Sequence, residues 1–142
     1  MYQVKNFTDS KDVKKIAQLG GFSVIEYQRD LSVFPDSAMT AYFCSQMNVR
    51  KRQLVCEMSN SQVTIQAGSM QWMLGNVNAT TGIKGVGDLF GKAIRGKVTG
   101  ESAIKPEYTG SGMLVLEPTY KHLILMDAAD WGGSVVLGDG LF

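Results

Sequence analysis

The chain alternates between apolar and polar positions over much of its length after Phe22. The segment 62–67 alternates without a break, which places Val63, Ile65 and Ala67 on one face of a half-buried strand. A side-chain period of two is typical of strands and not of helices. The pattern therefore predicts a mainly β fold.

Further strands are predicted on both sides of this segment. Leu54, Cys56 and Met58 form the inward face of a preceding strand, and Ser59-Asn60-Ser61 is the predicted turn of the hairpin. Three more strands are predicted at 113–116, 123–126 and 134–137. Short strands at this spacing favour a β-sandwich or a double-stranded β-helix-like fold.

Two segments have the period of a short helix. Near the N-terminus, Asp9 to Asp12 precede apolar positions that end at Gly20-Gly21, which predicts an amphipathic helix within residues 1–21. A second helix is predicted near 87–95, where five apolar residues recur at helical spacing: Val86, Leu89, Phe90, Ala93 and Ile94.

Size and composition predict a single domain over residues 1–142, with a helical segment at 1–21 and a β domain at 22–142. The 142 residues are 44% apolar, enough for one ordinary core. Sixteen glycines agree with a fold of many tight turns.

The charge and the hydropathy of the chain limit which partners and which cellular location we expect. The formal net charge is only +1, so no global field attracts nucleic acid, and we do not expect nucleic acid as a partner. No apolar run approaches the roughly 20 residues that span a bilayer, and the first residues lack the apolar stretch of a signal peptide. We therefore expect a cytoplasmic protein.

Catalytic and metal-binding patterns find little support in the sequence. His122 is the only histidine, which excludes sites built on several imidazoles. The segment 91–97 matches the first seven positions of a phosphate-binding loop, but Val98 stands where Ser or Thr should bind Mg²⁺. Gly110-Ser111-Gly112 is not the elbow of a serine nucleophile. We expect no enzyme activity, no cofactor and no metal.

Two further groups of residues are interpreted as structural. Cys44 and Cys56 stand in apolar stretches without a metal-binding or redox motif, and are predicted to be small buried residues and not a disulfide. Three aspartates, at 127, 130 and 139, lack the spacing of a calcium loop and are predicted to be solvated turn residues.

Two candidate surfaces remain. The basic segment 84–97 offers a candidate binding site for a membrane surface or an anionic ligand through Lys84, Lys92, Arg95 and Lys97, although its apolar side also suits packing on the sheet. Large aromatic residues suit a core or a subunit interface better than base stacking. The candidate interface residues are Trp72, Phe90 and Trp131.

Four short motifs in order resemble the signature of a known family. They are Ala67-Gly68-Ser69-Met70 with Met73, then Gly75-Asn76-Val77, then Gly100-Glu101, then Tyr108-Thr109-Gly110-Ser111-Gly112 ahead of 114–118. Over about residues 52–142 the chain resembles the "altered inheritance of mitochondria" family, whose bacterial members were filed as a domain of unknown function.

The resemblance implies a fold similar to that of the tryptophan RNA-binding attenuation protein, a double-layered β-sandwich whose subunits tend to assemble. It implies no enzyme activity, and the mitochondrial members are associated with inner-membrane organisation. Ser59-Asn60-Ser61 replaces an expected Pro-Gly-Glu turn, residues before about 52 have no counterpart, and Leu141-Phe142 resembles the start of an interrupted strand, so we expect a truncated member.

Two hypotheses for function follow. The first is a non-enzymatic interaction or scaffold protein that forms a homo-oligomer through its sheet edges. The alternative is a peripheral membrane or anionic-ligand binding module that uses the basic segment 84–97.

Overall fold

The computed structural model describes residues 3–80 and 105–137, and these confirm the mainly β fold. Five strands form one antiparallel sheet in the order β1-β2-β3-β5-β4. The elements are β1 (Val13–Leu19), β2 (Phe22–Tyr27), α1 (Ala38–Gln46), β3 (Arg52–Thr64), β4 (Met70–Thr80), β5 (Glu107–Leu116) and a short 3-10 helix (Ala128–Trp131).

The chain divides into two compact units, which are described separately. The first unit comprises residues 1–56 and 115–126, and the second comprises residues 57–114 and 127–142. The single domain and the double-layered arrangement stay predictions. The helix predicted near 87–95 lies outside the described residues.

The prediction of a helix within residues 1–21 is wrong. Residues 13–19 form the strand β1, which pairs antiparallel with β2 and ends at the pair Leu19 and Phe22. Gly20, with a φ of 54°, makes the turn between the strands. A two-residue glycine turn suits a hairpin as well as it suits a helix end, and strand pairing decided between them here.

The core of the first unit lies where β2 pairs with β3. Val24, Ile25, Val55 and Cys56 are almost fully buried there. The opposite charges of Glu26 and Arg52 face each other across the same pair of strands, 2.9 Å apart.

A buried amide, Gln53, is satisfied inside the first unit. Its Oε1 accepts a hydrogen bond from the Tyr27 hydroxyl at 2.6 Å, and its Nε2 donates to the carbonyl of Leu116 at 2.6 Å. An amide with both ends bonded can be buried without the large cost of an unpaired polar group. Gln53 therefore fixes the position of neighbouring segments as well as filling space.

The hairpin turn predicted at Ser59-Asn60-Ser61 is also wrong, because β3 runs through it from Arg52 to Thr64. Asn60 takes a φ of 47°, a left-handed conformation that asparagine tolerates better than most residues. Its backbone N–H donates to the Ser111 hydroxyl at 2.8 Å, which replaces a ladder bond. The polar residues therefore mark an irregularity in one strand and not a reversal of the chain.

The second unit buries part of the face that alternation predicted. Val63 and Ile65 are buried as expected, whereas Ala67, beyond the end of β3, is exposed. Alternation is right at Val63, inside β3, and at Ile65, one residue past its end, and it is wrong at Ala67.

Glycines of β4 and β5 in the second unit meet at close range. A Cβ placed on Gly75 would lie 2.8 Å from the Cα of Gly112, and one on Gly110 would overlap the carbonyl oxygen of Asn76. No side chain fits at these contacts without moving backbone. Gly75, Gly110 and Gly112 of the family-like motifs therefore serve close strand packing.

Of the three strands predicted after residue 110, one is confirmed and two are wrong. Residues 113–116 belong to β5 as predicted, but the segments 123–126 and 134–137 lie outside any strand. Thr119 exchanges two backbone hydrogen bonds with Arg52, and this single bridge does not extend into a ladder. Asp127 then accepts from the N–H of Ala129 at 2.9 Å and starts the 3-10 helix, which interrupts the extended path.

Candidate interaction surface on helix α1

Helix α1 has defined ends that the local sequence explains. It begins after Ser37, whose carbonyl accepts from the N–H of Ala41 at 2.9 Å. At the other end Asn48 takes a φ of 60°, and Val49 donates to the carbonyl of Cys44 at 2.9 Å. This pair of features is the Schellman ending of a helix, with asparagine in the place where glycine is commonest.

The two sides of α1 differ in side-chain size more than in polarity. Small residues on one side, Ala38, Ala41, Cys44 and Ser45 among them, line a groove. On the other side Met39, Phe43 and Met47 follow one another at four-residue spacing, which places them in one row along the helix. We call these three residues the outer stripe.

The outer stripe is exposed to solvent. No residue of α1 is buried, and the side chains of the stripe are 60% to 78% exposed. Tyr42 stands beside the stripe at the rim of the groove, with its ring edge-on to Phe43 and the ring centroids 5.5 Å apart. An apolar helix normally packs against another element, but none of the described residues buries this surface.

The groove beside α1 is an open cavity of about 580 Å³ in the first unit. Its other wall is the segment 27–34, which leads from β2 toward the helix, and Tyr120 also lines it. Phe34, at the end of that segment, is 73% exposed. The groove and the stripe together form a mainly apolar surface, and the charged residues that line the groove are Arg29, Asp30, Arg50 and Lys51.

An ion pair lies at one end of the groove. The Nζ of Lys51 is 2.6 Å from a carboxylate oxygen of Asp30 and 6.0 Å from the centroid of the Tyr120 ring. Burial acts to raise the pKa of Asp30, but the hydrogen bonds from Lys51 and Ser32 outweigh it and lower this pKa. The hydrogen bond to Asp30 raises the pKa of Lys51.

The arginines near the groove are also engaged. The Nε of Arg29 donates to Asp12 at 2.6 Å, and this bond lowers the pKa of Asp12. Arg50 donates to the backbone carbonyl of Gln28 at 3.0 Å and to its side-chain oxygen at 3.1 Å. These cations hold the segment 27–34 in place and are not arranged around a common anion site.

The titratable groups near the groove have structural roles. The Tyr27 hydroxyl donates to Gln53, and burial together with the Asp30 carboxylate raises the pKa of Tyr27, while Lys51 opposes the shift. Burial raises the pKa of the Cys56 thiol to about 11.

Residues 3–80 and 105–137 contain no group of three metal-ligating side chains. The surface is suited to binding apolar groups.

The structure describes two of the seven residues selected from the sequence. Lys84, Phe90, Lys92, Arg95 and Lys97 lie outside the described residues. Trp72 is half-buried on β4, and Trp131 is 63% exposed in the 3-10 helix.

The cysteine prediction is half right. Cys56 is buried on β3 and free, as expected, whereas Cys44 is free but only partly buried on α1. Helix α1 itself was missed, although Pro35 and Asp36 ahead of it and the left-handed Asn48 behind it are typical helix boundaries. Its apolar and polar residues are not segregated to two faces, so the hydrophobic periodicity that normally reveals a helix is missing.

The fold and this surface define a mainly β protein with an exposed apolar surface on its one described α-helix. Residues 46–142 match the family model described as "Mitochondrial biogenesis AIM24", and the chain belongs to this family. The match covers the four motifs that carry the resemblance and begins at the last residue of α1. No curated protein and no solved structure matches the chain.

Neither a reaction nor a membrane-spanning helix is assigned by the family description and the described residues. The family description names a process, mitochondrial biogenesis, and no reaction. In the described residues, no helix combines the length and the apolar character needed to cross a membrane.

Proposed function

We propose that this chain is a non-enzymatic interaction protein that self-assembles and serves as a scaffold. The observation that carries the proposal is the exposed outer stripe on a helix without a buried residue. Exposed apolar surface of this kind typically marks a contact with another molecule, because covering it removes apolar area from water.

The polar groups around the groove support a binding role over a catalytic one. Lys51 pairs with Asp30, Arg29 pairs with Asp12, and the Tyr27 hydroxyl is bonded to Gln53. A catalytic group must be able to exchange a proton or attack a substrate, and these groups are held in structural pairs instead.

The β1 edge of the sheet gives less support to assembly than the helix does. At the end of the described sheet, β1 carries the exposed Lys14 and Lys15 and a register shift between Lys15 and Ala17. Edge lysines and bulges both oppose the pairing of an edge strand with another chain. We therefore place the main contact on α1.

The proposal is tested by the molar mass of the full chain in solution. Size-exclusion chromatography with light scattering, over a wide range of protein concentration, should show a mass that is a multiple of the monomer mass and that falls on dilution. A monomer at every concentration would contradict self-assembly.

A further inference from the structure

We infer that a second copy of this chain covers α1, with the outer stripes of two molecules packed against each other around a two-fold axis. The inference rests on the proposed self-assembly and adds the surface, the residues and the symmetry. The helix lies almost entirely before residues 46–142, so the family match does not imply this contact.

The charge of α1 suits a contact between identical molecules. The segment Ala38–Gln46 contains no charged residue, so two copies of it meet without like-charge repulsion. A partner of strongly acidic or basic character would gain no complementary charge on this helix. Apolar contact is the interaction that this surface offers.

The exposed area is close to what one side of a dimer interface needs. Phe34, Met39, Tyr42, Phe43 and Met47 are each 60% to 78% exposed. If each large side chain spans about 150–250 Å², together they present roughly 500–900 Å². The middle of that range exceeds the largest apolar patch of a typical monomer, about 300–600 Å². It approaches the contribution of about 800 Å² that each partner makes to a standard interface.

The arrangement of the stripe suits packing against its own copy. Residues spaced by four form a ridge, and ridges of this kind on two helices interdigitate in the commonest class of helix packing. Phe43 is the middle residue of the ridge, between Met39 and Met47. In a two-fold contact the middle residue lies nearest the axis, so Phe43 of each copy faces Phe43 of the other.

A membrane surface fits these residues less well than a second copy. An interfacial helix carries a strongly charged face opposite its apolar one, and α1 has no charged face. The nearby Arg29, Arg50 and Lys51 are already engaged with Asp12, Gln28 and Asp30. Binding to lipid is accordingly treated as an outcome that the experiment can detect.

The experiment places charge at the predicted axis. We expect Phe43→Glu to weaken self-association of the full chain by about tenfold or more, because two carboxylates would meet in an apolar contact. Ile124→Glu is the matched control, since Ile124 is 70% exposed in the same unit and the change of charge is identical. Sedimentation velocity of wild type and both variants measures the dissociation constants.

A mixing experiment tests the symmetry. Phe43→Lys alone should also weaken association, whereas an equimolar mixture of Phe43→Glu and Phe43→Lys should associate again, because opposite charges then face each other. Far-UV circular dichroism of each variant reports whether it folds. If a Phe43 variant does not fold, Met47→Gln, which changes a more exposed residue of the stripe, replaces it as the test.

The outcomes separate this inference from the proposed function. If wild type is monomeric throughout, both fail. If wild type associates and Phe43→Glu associates equally well, only the α1 contact is wrong. If Phe43→Glu loses flotation with vesicles of acidic phospholipid but associates like wild type, the stripe binds lipid and the inference is overturned.

Discussion

Helix α1 belongs to the same unit as the paired residues 22–26 of β2 and 52–56 of β3, and both regions are rich in apolar residues. The paired strands bury these residues, whereas the helix exposes them. Ile25 and Val55 are about 1% exposed in the paired strands. Met39 in the helix is 74% exposed, and Met47 at its C-cap is 78% exposed. The difference shows that apolar content alone does not decide burial within one chain.

The comparison separates two uses of apolar side chains. In the strands, alternation turns one set of side chains toward a shared core, and their burial stabilises the fold of the molecule itself. In α1, small side chains line the groove and large ones face outward, so the helix leaves most of its apolar area available for association. Substitutions in the two regions should therefore change different measurable quantities.

The largest effect is expected from truncation in the strands. Ile25→Ala should lower the free energy of unfolding by about 2–5 kcal/mol, because it removes buried methyl groups and leaves a cavity. Met39→Ala should change it by only about 0.5 kcal/mol or less. Chemical denaturation at low protein concentration, where association contributes least, measures both values.

The same two variants can contradict the contrast between the buried strands and the exposed helix. A large loss of unfolding free energy in Met39→Ala, measured for a monomeric sample, would show that the helix is covered within its own molecule. The outer stripe would then belong to the core.

The strands show how much of the fold the sequence determines locally. Alternation located Val63 and Ile65 correctly, because each residue of a strand changes face and the pattern is visible in a few residues. It was wrong about the direction of the chain at Asn60, where a left-handed residue and the hydroxyl of Ser111 keep one strand continuous. The partner that stabilises this irregularity lies 51 positions away, so no local pattern contains it.

The candidate site was less accessible to sequence analysis than the fold. Helix α1 lacks segregated polar and apolar faces. Whether its large side chains are exposed depends on which residues pack against them, and this is decided by the tertiary structure. The glycine motifs indicate the family, but the sequence does not show why glycine is needed at these positions. The approach of Gly75 to Gly112 depends on how two distant strands pack. The basic residues selected from 84–97 lie outside the described residues and stay a prediction.

A smaller effect is expected from the ion pair that anchors the segment between β2 and α1. Arg29 lowers the pKa of Asp12 below its usual value of 3.8, so the folded state favours the carboxylate. The stabilisation is present above that usual value and is lost as the pH falls through the lowered pKa. Wild type should therefore lose thermal stability on acidification below about pH 4, and Asp12→Asn should lose less over the same interval.

The control for this titration is Asp36→Asn, the same chemical change on the exposed segment ahead of α1. Asp36 takes no part in the three ion pairs of the described residues, so this variant controls for the loss of one negative charge. Thermal unfolding followed by circular dichroism at a series of pH values gives the comparison, and equal slopes for Asp12→Asn and wild type would show that the ion pair does not contribute.

The smallest expected effect is a difference in reaction rate between one thiol in the strands and one in the helix, which can be measured without changing the fold. Cys56 lies in the buried strand pair with its pKa raised to about 11, so at pH 8 only about one thiol in a thousand is the reactive thiolate. Cys44 is partly exposed on α1. Ellman's reagent should therefore modify one thiol quickly in the native protein and both after denaturation, and Cys44→Ser should remove the fast reaction. Two fast thiols in the native protein would show that the strand core opens as readily as the helix surface.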